Sequence, residues 1–300
     1  MSRLESQDPK SNVDPKVVEA FGQEWERFTN AGLARSELQS MFDDYATIFP
    51  WDELPSEPVG FDAGCGSGRW AAFFAPRVGH LYCIDASAEA LNVARQVLRD
   101  HGNVSFLHED LSSLGLEEES CDFGYSLGVL HHIPDTASAL QSCVRRLRPG
   151  APFLVYLYYD LEGAGFARRL LLRLVTAVRV VISRLPRRPR HLVADLLAIA
   201  VYWPLARLAR LVVRLGRDPS RLPLFQYRNR SFAVMRNDAL DRFGTRLEKR
   251  YSRQEVRDLL EQAGLADVEF SDGGYWRKQS GASGGGLSIL PKDLNARKNR

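Results

Sequence analysis

The sequence is poor in cysteine, histidine and methionine, with four, six and three of them in 300 residues. Cys65, Cys83, Cys121 and Cys143 form no CxxC pair, and no histidine stands at ligand spacing to them, which excludes the usual zinc arrangements. Isolated thiols of this kind read as reduced, buried side chains of a cytoplasmic protein, and no metal is expected. The stretch 1–16 lacks an apolar segment and so does not look like a secretory signal. The longest nearly uncharged apolar run, Leu192–Ala206, has 15 residues and contains Asp195 and Pro204. A bilayer span needs ~20 such residues, so a transmembrane helix is not expected. Net charge is small as well, +3 from 40 basic and 37 acidic residues. Taken over the whole chain, that balance argues against a general nucleic-acid binder.

The average conceals a local absence. Residues 161–230 contain no lysine and three acidic residues against 15 arginines, a net charge of +12 that leaves −9 for the remainder. An acidic body therefore carries a basic, leucine-rich insert.

Hydropathy patterning divides the chain into six parts: a disordered N-terminus over 1–15, helices over 16–55, a strand–helix alternation over 56–160, the arginine-rich insert over 161–235, a C-terminal helix and strands over 236–278, and a flexible glycine-containing tail over 279–300. Within 56–160 the spacing predicts strands at 59–63, 81–84, 104–107, 122–127 and 152–158, with helices between most of them. Repeated alternation of this kind implies an α/β fold with a parallel sheet covered on both faces. The Ser252-Arg253-Gln254-Glu255 sequence is a capping box opening a helix that Gly264 is placed to stop, and strands are expected at 267–271 and 275–278.

The most informative stretch is Val59-Gly60-Phe61-Asp62-Ala63-Gly64-Cys65-Gly66-Ser67-Gly68, an apolar strand running into a glycine-rich turn and then a helix. Glycines permit positive φ and close approach of a ligand to the backbone, and the helix presents free N–H groups. The spacing departs from the dinucleotide fingerprint, because the third glycine, Gly68, comes one residue early and Arg69 stands where that motif has its last glycine. A carboxylate at Asp62 would repel a pyrophosphate but suits a cationic amino-acid group. Asp85 ends the next strand 17 residues after Gly68, where a carboxylate can accept ribose hydroxyls. Each feature alone is also what a plain turn or helix cap would show.

Five motifs follow in order: Asp62–Gly68, Ile84-Asp85-Ala86-Ser87, Glu109-Asp110-Leu111, Ser126–Ile133 with its Gly128-Val129-Leu130-His131-His132 core, and Leu147-Arg148-Pro149-Gly150. As a set they resemble the class I S-adenosylmethionine-dependent methyltransferases, most of all the small-molecule, ubiquinone-type branch. The resemblance covers about Val59 to Tyr158 and takes in the helix and strands after Tyr251. It implies a Rossmann-like three-layer sandwich with a seven-stranded, mostly parallel sheet whose last strand is antiparallel, and a helical insert after strand five. It implies S-adenosyl-L-methionine as cofactor: Asp62 and Gly64, Cys65, Gly66 and Gly68 at the methionine portion, Asp85 at the ribose diol, Ala86 beside the adenine, Asp110 and the Leu111 backbone at the adenine edge, and Leu127 near the methionine end. The segment after strand five is expected to shape the acceptor site.

Methyl transfer from a sulfonium depends mainly on proximity and alignment, and a hydroxyl acceptor gains from a general base. His132, just past strand four, is the candidate base, while His131 is the neighbouring acceptor-side candidate, with loop ordering through a backbone hydrogen bond as its plainer role. Asp135 reads as a helix cap. Trp25 and Tyr45 are lid candidates, and Phe21 and Phe28 read as core-packing residues of an N-terminal helix.

On a helix over 166–185 the arginines share one arc and leave a broad apolar face, and Arg207, Arg210, Arg214 and Arg217 repeat the design at spacings of 3, 4 and 3. Residues 187–190 read as a basic corner between the two. Arginine with leucine and almost no acid suits a helix lying among anionic lipid headgroups, against a cap over the protein's own core or an RNA contact. The expectation is an O-methyltransferase of a small-molecule, sugar or lipid-linked acceptor, cytoplasmic and peripheral on the inner face of a membrane through 166–217. The alternatives are a cofactor-binding scaffold without activity and, more remotely, an RNA methyltransferase. Nucleic acid is disfavoured, since Ser126-Leu127-Gly128-Val129 stands where an Asn/Asp-Pro-Pro-aromatic motif would be.

Overall fold

The computed structural model describes residues 12–28, 33–158, 166–220, 222–270 and 292–298. Five parallel strands form the sheet: β1 (Val59–Ala63), β2 (His80–Asp85), β3 (Val104–His108), β4 (Phe123–Leu127) and β5 (Pro152–Leu157), in the order β3-β2-β1-β4-β5. β1 lies centrally, with Phe61 opposite Tyr82 on one side and Gly124 on the other. The order reverses at β1, which opens a crevice at the strand ends beside it.

The period-two alternation of side chains separates two cores. Phe61, Phe153 and Val155 face one, which α5 (Thr136–Arg146) and α10 (Arg253–Gln262) cover with Leu140, Val144, Val256 and Leu260. Phe123, Tyr125 and Leu154 face the other, covered by α2 (Arg35–Ala46), the short α3 (Ala71–Phe74) and α4 (Ala88–Val97). The layers are therefore helix, sheet, helix. Phe74 stacks on Tyr125 at 4.0 Å between centroids, one of several aromatic contacts that fill the second core.

Helix ends follow local chemistry. Asp135 caps α5 by accepting from the Ser138 amide, and the capping box of Ser252 and Glu255 opens α10. After Gly264, which takes φ +98°, a strand β6 (Leu265–Phe270) begins. β6 pairs antiparallel with β7 (Lys292–Lys298), which pairs antiparallel with β5. Lys292–Lys298 is therefore strand in a stretch the sequence marks as flexible tail, because the open edge of β5 offers it a ladder of backbone partners. The expected strand at 275–278 lies outside the described residues.

The N-terminal boundary also shifts. Residues 1–11 lie outside the described residues, but Asn12 is anchored: its amide donates to Asp110 and its side chain exchanges two hydrogen bonds with the Asp135 backbone. Asp14 then caps α1 (Pro15–Arg27). α1 packs on α4 at Gly22, where a Cβ would sit 2.7 Å from the Ser87 hydroxyl oxygen.

The insert is an elongated helical layer: α6 (Phe166–Ile182), α7 (Arg187–Leu197), α8 (Trp203–Arg214) and α9 (Phe232–Gly244). Residues 187–190 form the first turn of α7 rather than a corner. A π-helical turn at Ala198–Tyr202 joins α7 to α8, so the helix continues past Pro204, whose missing N–H and bulky ring a widened turn can absorb. Arg187–Arg214 is thus one 28-residue helical run, and by length and composition it is apolar enough to cross a membrane, which the 15-residue run in the sequence is not. Ala198, Tyr202 and Ala206 bury one side of it in a third core with Val234, Met235 and Phe243. Helix α9 spans the expected boundary at 235/236 and belongs by packing to the insert. Asp195, in the last turn of α7, pairs with Arg27 of α1 and Arg236 of α9.

Candidate functional site

A cavity lies at the C-terminal ends of the central strands, where an open α/β sheet places its ligands. Its floor carries Gly64, Cys65 and Gly66 after β1, Asp85 and Ala86 at the end of β2, and Leu127 at the end of β4. Leu111 and Tyr156 add to it. One wall is α1, with Val17, Phe21, Glu24 and Trp25; the opposite wall is Gln226, Tyr227 and the α9 residues Asn237, Asp238, Asp241 and Arg242.

The glycine loop is held from below. Gly64, Gly66 and Gly68 take φ of +84°, +53° and +74°. The Asp85 carboxylate accepts from the Gly66 and Ser87 amides, each at 2.8 Å, and so ties the loop to the end of β2. Burial pushes the Asp85 carboxyl upward, opposed by those backbone donors. Trp25 lies over the loop so closely that a Cβ on Gly66 would be 2.8 Å from its Nε1. Arg69 is flanked by two indoles, 5.0 Å from the Trp25 centroid and 4.5 Å from that of Trp70, and lines the cavity.

Several sequence expectations are placed elsewhere. Gly68 does not line the cavity: a Cβ there would meet Ala94 and Leu98 at 3.1 Å, so its role is to let α4 approach the loop. Asp62 is 2% exposed beneath the loop, not on the cavity surface, near the Tyr125 hydroxyl. Burial raises its carboxyl to about 8. Asp110 is likewise off the cavity lining, its carboxylate accepting from Asn12 and from Ser112. His131 is fully buried behind the cavity, stacked on Tyr158 at 4.0 Å; neither ring nitrogen has a hydrogen-bond partner among the described residues, so it does not order its loop in the expected way. Burial lowers its pKa well below the usual histidine range. Phe21 is not core but cavity wall, tilted against His132 at 5.0 Å.

His132 does line the cavity, 4% exposed. Its Nδ1 is 2.6 Å from the Leu247 carbonyl oxygen, which requires a proton on Nδ1 and leaves Nε2 as the lone-pair nitrogen. Nε2 is 3.8 Å from Asp241 Oδ1, too far for a hydrogen bond, and neither atom has another partner among the described residues. Tyr158 donates its hydroxyl to the other oxygen of Asp241 at 2.7 Å. Tyr45 also lines the cavity, against Trp70 and Tyr156. No cluster of metal-ligating side chains occurs among the described residues.

The Glu24 and α9 contributions escape sequence reasoning because nothing local marks them. Glu24 and Asn237 are 213 residues apart and are joined by a 3.1 Å hydrogen bond. Arg69 had a readable signal, its position directly after the glycine loop.

Residues 61–155 match the family model described as a methyltransferase domain. The ubiquinone biosynthesis O-methyltransferase of Paracidovorax citrulli is 27% identical over 220 residues, 71% of this chain and 88% of that protein. The protein of the same description from Nitrosomonas europaea is 35% identical over 179 residues, 54% of this chain and 74% of that protein. The structure of an O-methyltransferase family protein from Burkholderia thailandensis superposes with a TM-score of 0.51 at 13% identity, covering 94% of this chain and 59% of that one, a likeness of fold. Matched motif domain, matched relatives and a Rossmann-like, mostly parallel sheet agree: the chain belongs to the class I S-adenosylmethionine-dependent methyltransferases.

Proposed function

We propose that the protein transfers a methyl group to a hydroxyl of a small-molecule or lipid-linked acceptor, with His132 as general base. The observation that carries this reading is the fixed tautomer of His132, whose Nε2 stands unpartnered in the cavity. The cofactor reading fits the donor set present. Asp85 retains lone pairs for the two ribose hydroxyls after accepting two backbone N–H groups, and Leu111 and Ala86 supply apolar surface for an adenine. Arg69 offers a fork held by indoles for a carboxylate, while the Gly64–Gly66 backbone gives close approach. When bound, S-adenosylmethionine supplies a methyl group on a positively charged sulfur. His132 then takes the acceptor's hydroxyl proton at Nε2 as the oxygen attacks, and Trp25, Tyr45 and Phe21 exclude water. Adenine contact by Asp110 would require its bond to Asn12 to be shared or exchanged. A complete seven-stranded sheet, with β7 antiparallel, belongs to the same reading.

The insert supports a peripheral membrane location at the cytoplasmic face. Apart from Val97, every exposed large apolar side chain among the described residues lies on it, including Leu174 at 58%, Val181 at 65%, Leu192 at 60% and Leu215 at 65% exposure. Arginines border this surface, and anionic headgroups attract them by about 1 kcal/mol each near the surface. The ion pairs of Asp195 tie the N-terminal third of the long helix to α1 and α9, which favours a helix lying along the bilayer surface over one crossing it.

The test of the reaction is incubation with methyl-labelled cofactor and a total lipid and metabolite extract. Label in an alkali-stable ether supports O-methylation. Label solely in amines or nucleic acid would sink it.

A further inference from the structure

The α9 wall carries more polar groups than the protein itself satisfies. Gln226 is 2% exposed, yet neither its Oε1 nor its Nε2 has a partner among the described residues. Asn237 is 6% exposed; its Nδ2 donates to Glu24 while its Oδ1 has no partner. His132 Nε2 and Asp241 Oδ1 face each other at 3.8 Å with the same deficit, and Arg242 Nε adds another. All five residues line one cavity. Leaving buried polar atoms unpaired costs stability, and their concentration on one wall points to a ligand that completes them.

The kind of deficit describes the ligand. Four of the unpaired atoms are acceptors: Gln226 Oε1, Asn237 Oδ1, Asp241 Oδ1 and His132 Nε2. A single hydroxyl donates one hydrogen and cannot serve even the His132–Asp241 pair. Gln226 Nε2 and Arg242 Nε are donors and suit oxygen lone pairs on the same ligand. A hydroxyl is both donor and acceptor. The charge on the wall selects further: Glu24, Asp238 and Asp241 are accompanied by Arg242 and Arg69. Burial, and for Glu24 in second place the neighbouring Asp241, push Glu24 and Asp238 toward the neutral acid. The wall therefore favours a neutral donor-rich head over a cation.

We infer that the acceptor is polyhydroxylated, a sugar-like head with at least three free hydroxyls, read by Gln226, Asn237 and Asp241 while His132 takes the proton of the hydroxyl that is methylated. This rests on the methyl-transfer reading above. Gln226 and Asn237 are then specificity residues, and they come from the insert and α9, outside the stretch that matches the methyltransferase domain.

The test pairs Gln226→Leu and Asn237→Leu with wild type in two measurements. In the first, each apo variant is melted and titrated with S-adenosylhomocysteine. Replacing the wholly unpartnered Gln226 amide by a hydrocarbon of similar size should raise Tm by about 2 °C, whereas Asn237→Leu also loses the bond to Glu24 and should lower it; both should leave the affinity unchanged. A lower Tm for Gln226→Leu, or weakened nucleoside binding by either variant, shows a structural role and overturns the inference. In the second, labelled products from the lipid and metabolite extract are hydrolysed and separated. Label on a polyhydroxylated fragment, reduced about 10-fold or more in each variant, is the expected result. Label on a phenol or an amine, or equal labelling by the variants, overturns it. Absence of any product from a wild-type protein that binds the nucleoside refutes the methyl-transfer reading itself, and the inference with it, whereas a raised Tm of Gln226→Leu in that case would still show its amide to be unsatisfied.

Discussion

The Nδ1 of His132 lies 2.6 Å from the carbonyl oxygen of Leu247, two residues separated by 115 positions in the chain. That hydrogen bond decides which nitrogen can accept a proton. His132→Gln keeps a side chain able to donate to the same carbonyl but removes the base. Turnover of a hydroxyl acceptor should fall about 10²-fold or more, with cofactor affinity retained. Single-turnover transfer from labelled cofactor measures it, and unchanged turnover removes His132 from the chemistry.

Asp62 predicts a pH signature in stability. Its carboxyl is raised by burial from 3.8 to about 8, with the nearby Tyr125 hydroxyl acting in the opposite direction. The folded protein therefore keeps a proton that the unfolded chain releases above pH 3.8. The associated stability is fully present below that value, is lost as pH rises toward about 8, and declines no further above it. Asp62→Asn, neutral throughout, should abolish this decline and be the more stable protein at pH 8.5. Urea unfolding of both across pH 5 to 9 gives the comparison; parallel curves would show that Asp62 does not titrate in this window.

Asp85→Ala removes two loop hydrogen bonds as well as the proposed ribose contact. Cofactor affinity should drop by about 10² or more, at ~1–3 kcal/mol for each charged hydrogen bond. Arg69→Ala should weaken S-adenosylmethionine more than 5′-methylthioadenosine, which lacks the carboxylate. Calorimetric titration with both ligands distinguishes the roles, and an equal loss for both argues against carboxylate binding by Arg69.

Gly66→Ala would place a methyl group 2.8 Å from the Trp25 indole at a φ of +53°. Both the strain and the clash push α1 away from the loop. The expected result is weaker cofactor binding that Trp25→Ala partly restores, as a double-mutant cycle would measure. Additive effects would deny the contact.

Leu174, Val181 and Leu211 are each about half exposed or more. Replacing all three with glutamate should leave Tm nearly unchanged and abolish sedimentation with vesicles rich in anionic phospholipid. Continued sedimentation would refute the membrane contact. Deletion of 166–217 is a poorer test, because Ile182, Ala198, Tyr202 and Ala206 belong to the core that supports α9.

Much of the cofactor side was legible because its determinants are local. The run Gly64-Cys65-Gly66-Ser67-Gly68 needs its own glycines to turn, and Asp85 follows at the end of the next strand, so a short window of sequence contains the geometry. Even there, Gly68 serves helix packing and Asp110 meets Asn12, which spacing alone cannot distinguish from ligand contact. The C-terminal tail departs from its expectation for a related reason: β7 owes its strand to the free edge of β5, not to its own composition.

By itself the sequence determined the strand–helix alternation, the glycine loop, the acidic strand end and the split between acidic body and arginine-rich insert, since each depends on residues within one or two turns of one another. Only the tertiary structure decided the acceptor side. It brought Glu24 of α1 against Asn237 of α9, set His132 between Leu247 and Asp241, and left the amide of Gln226 unpaired in the cavity between them. Those relationships span more than a hundred residues each in the paired cases, and hydrogen-bond demand across such distances is met or left unmet only when the layers pack.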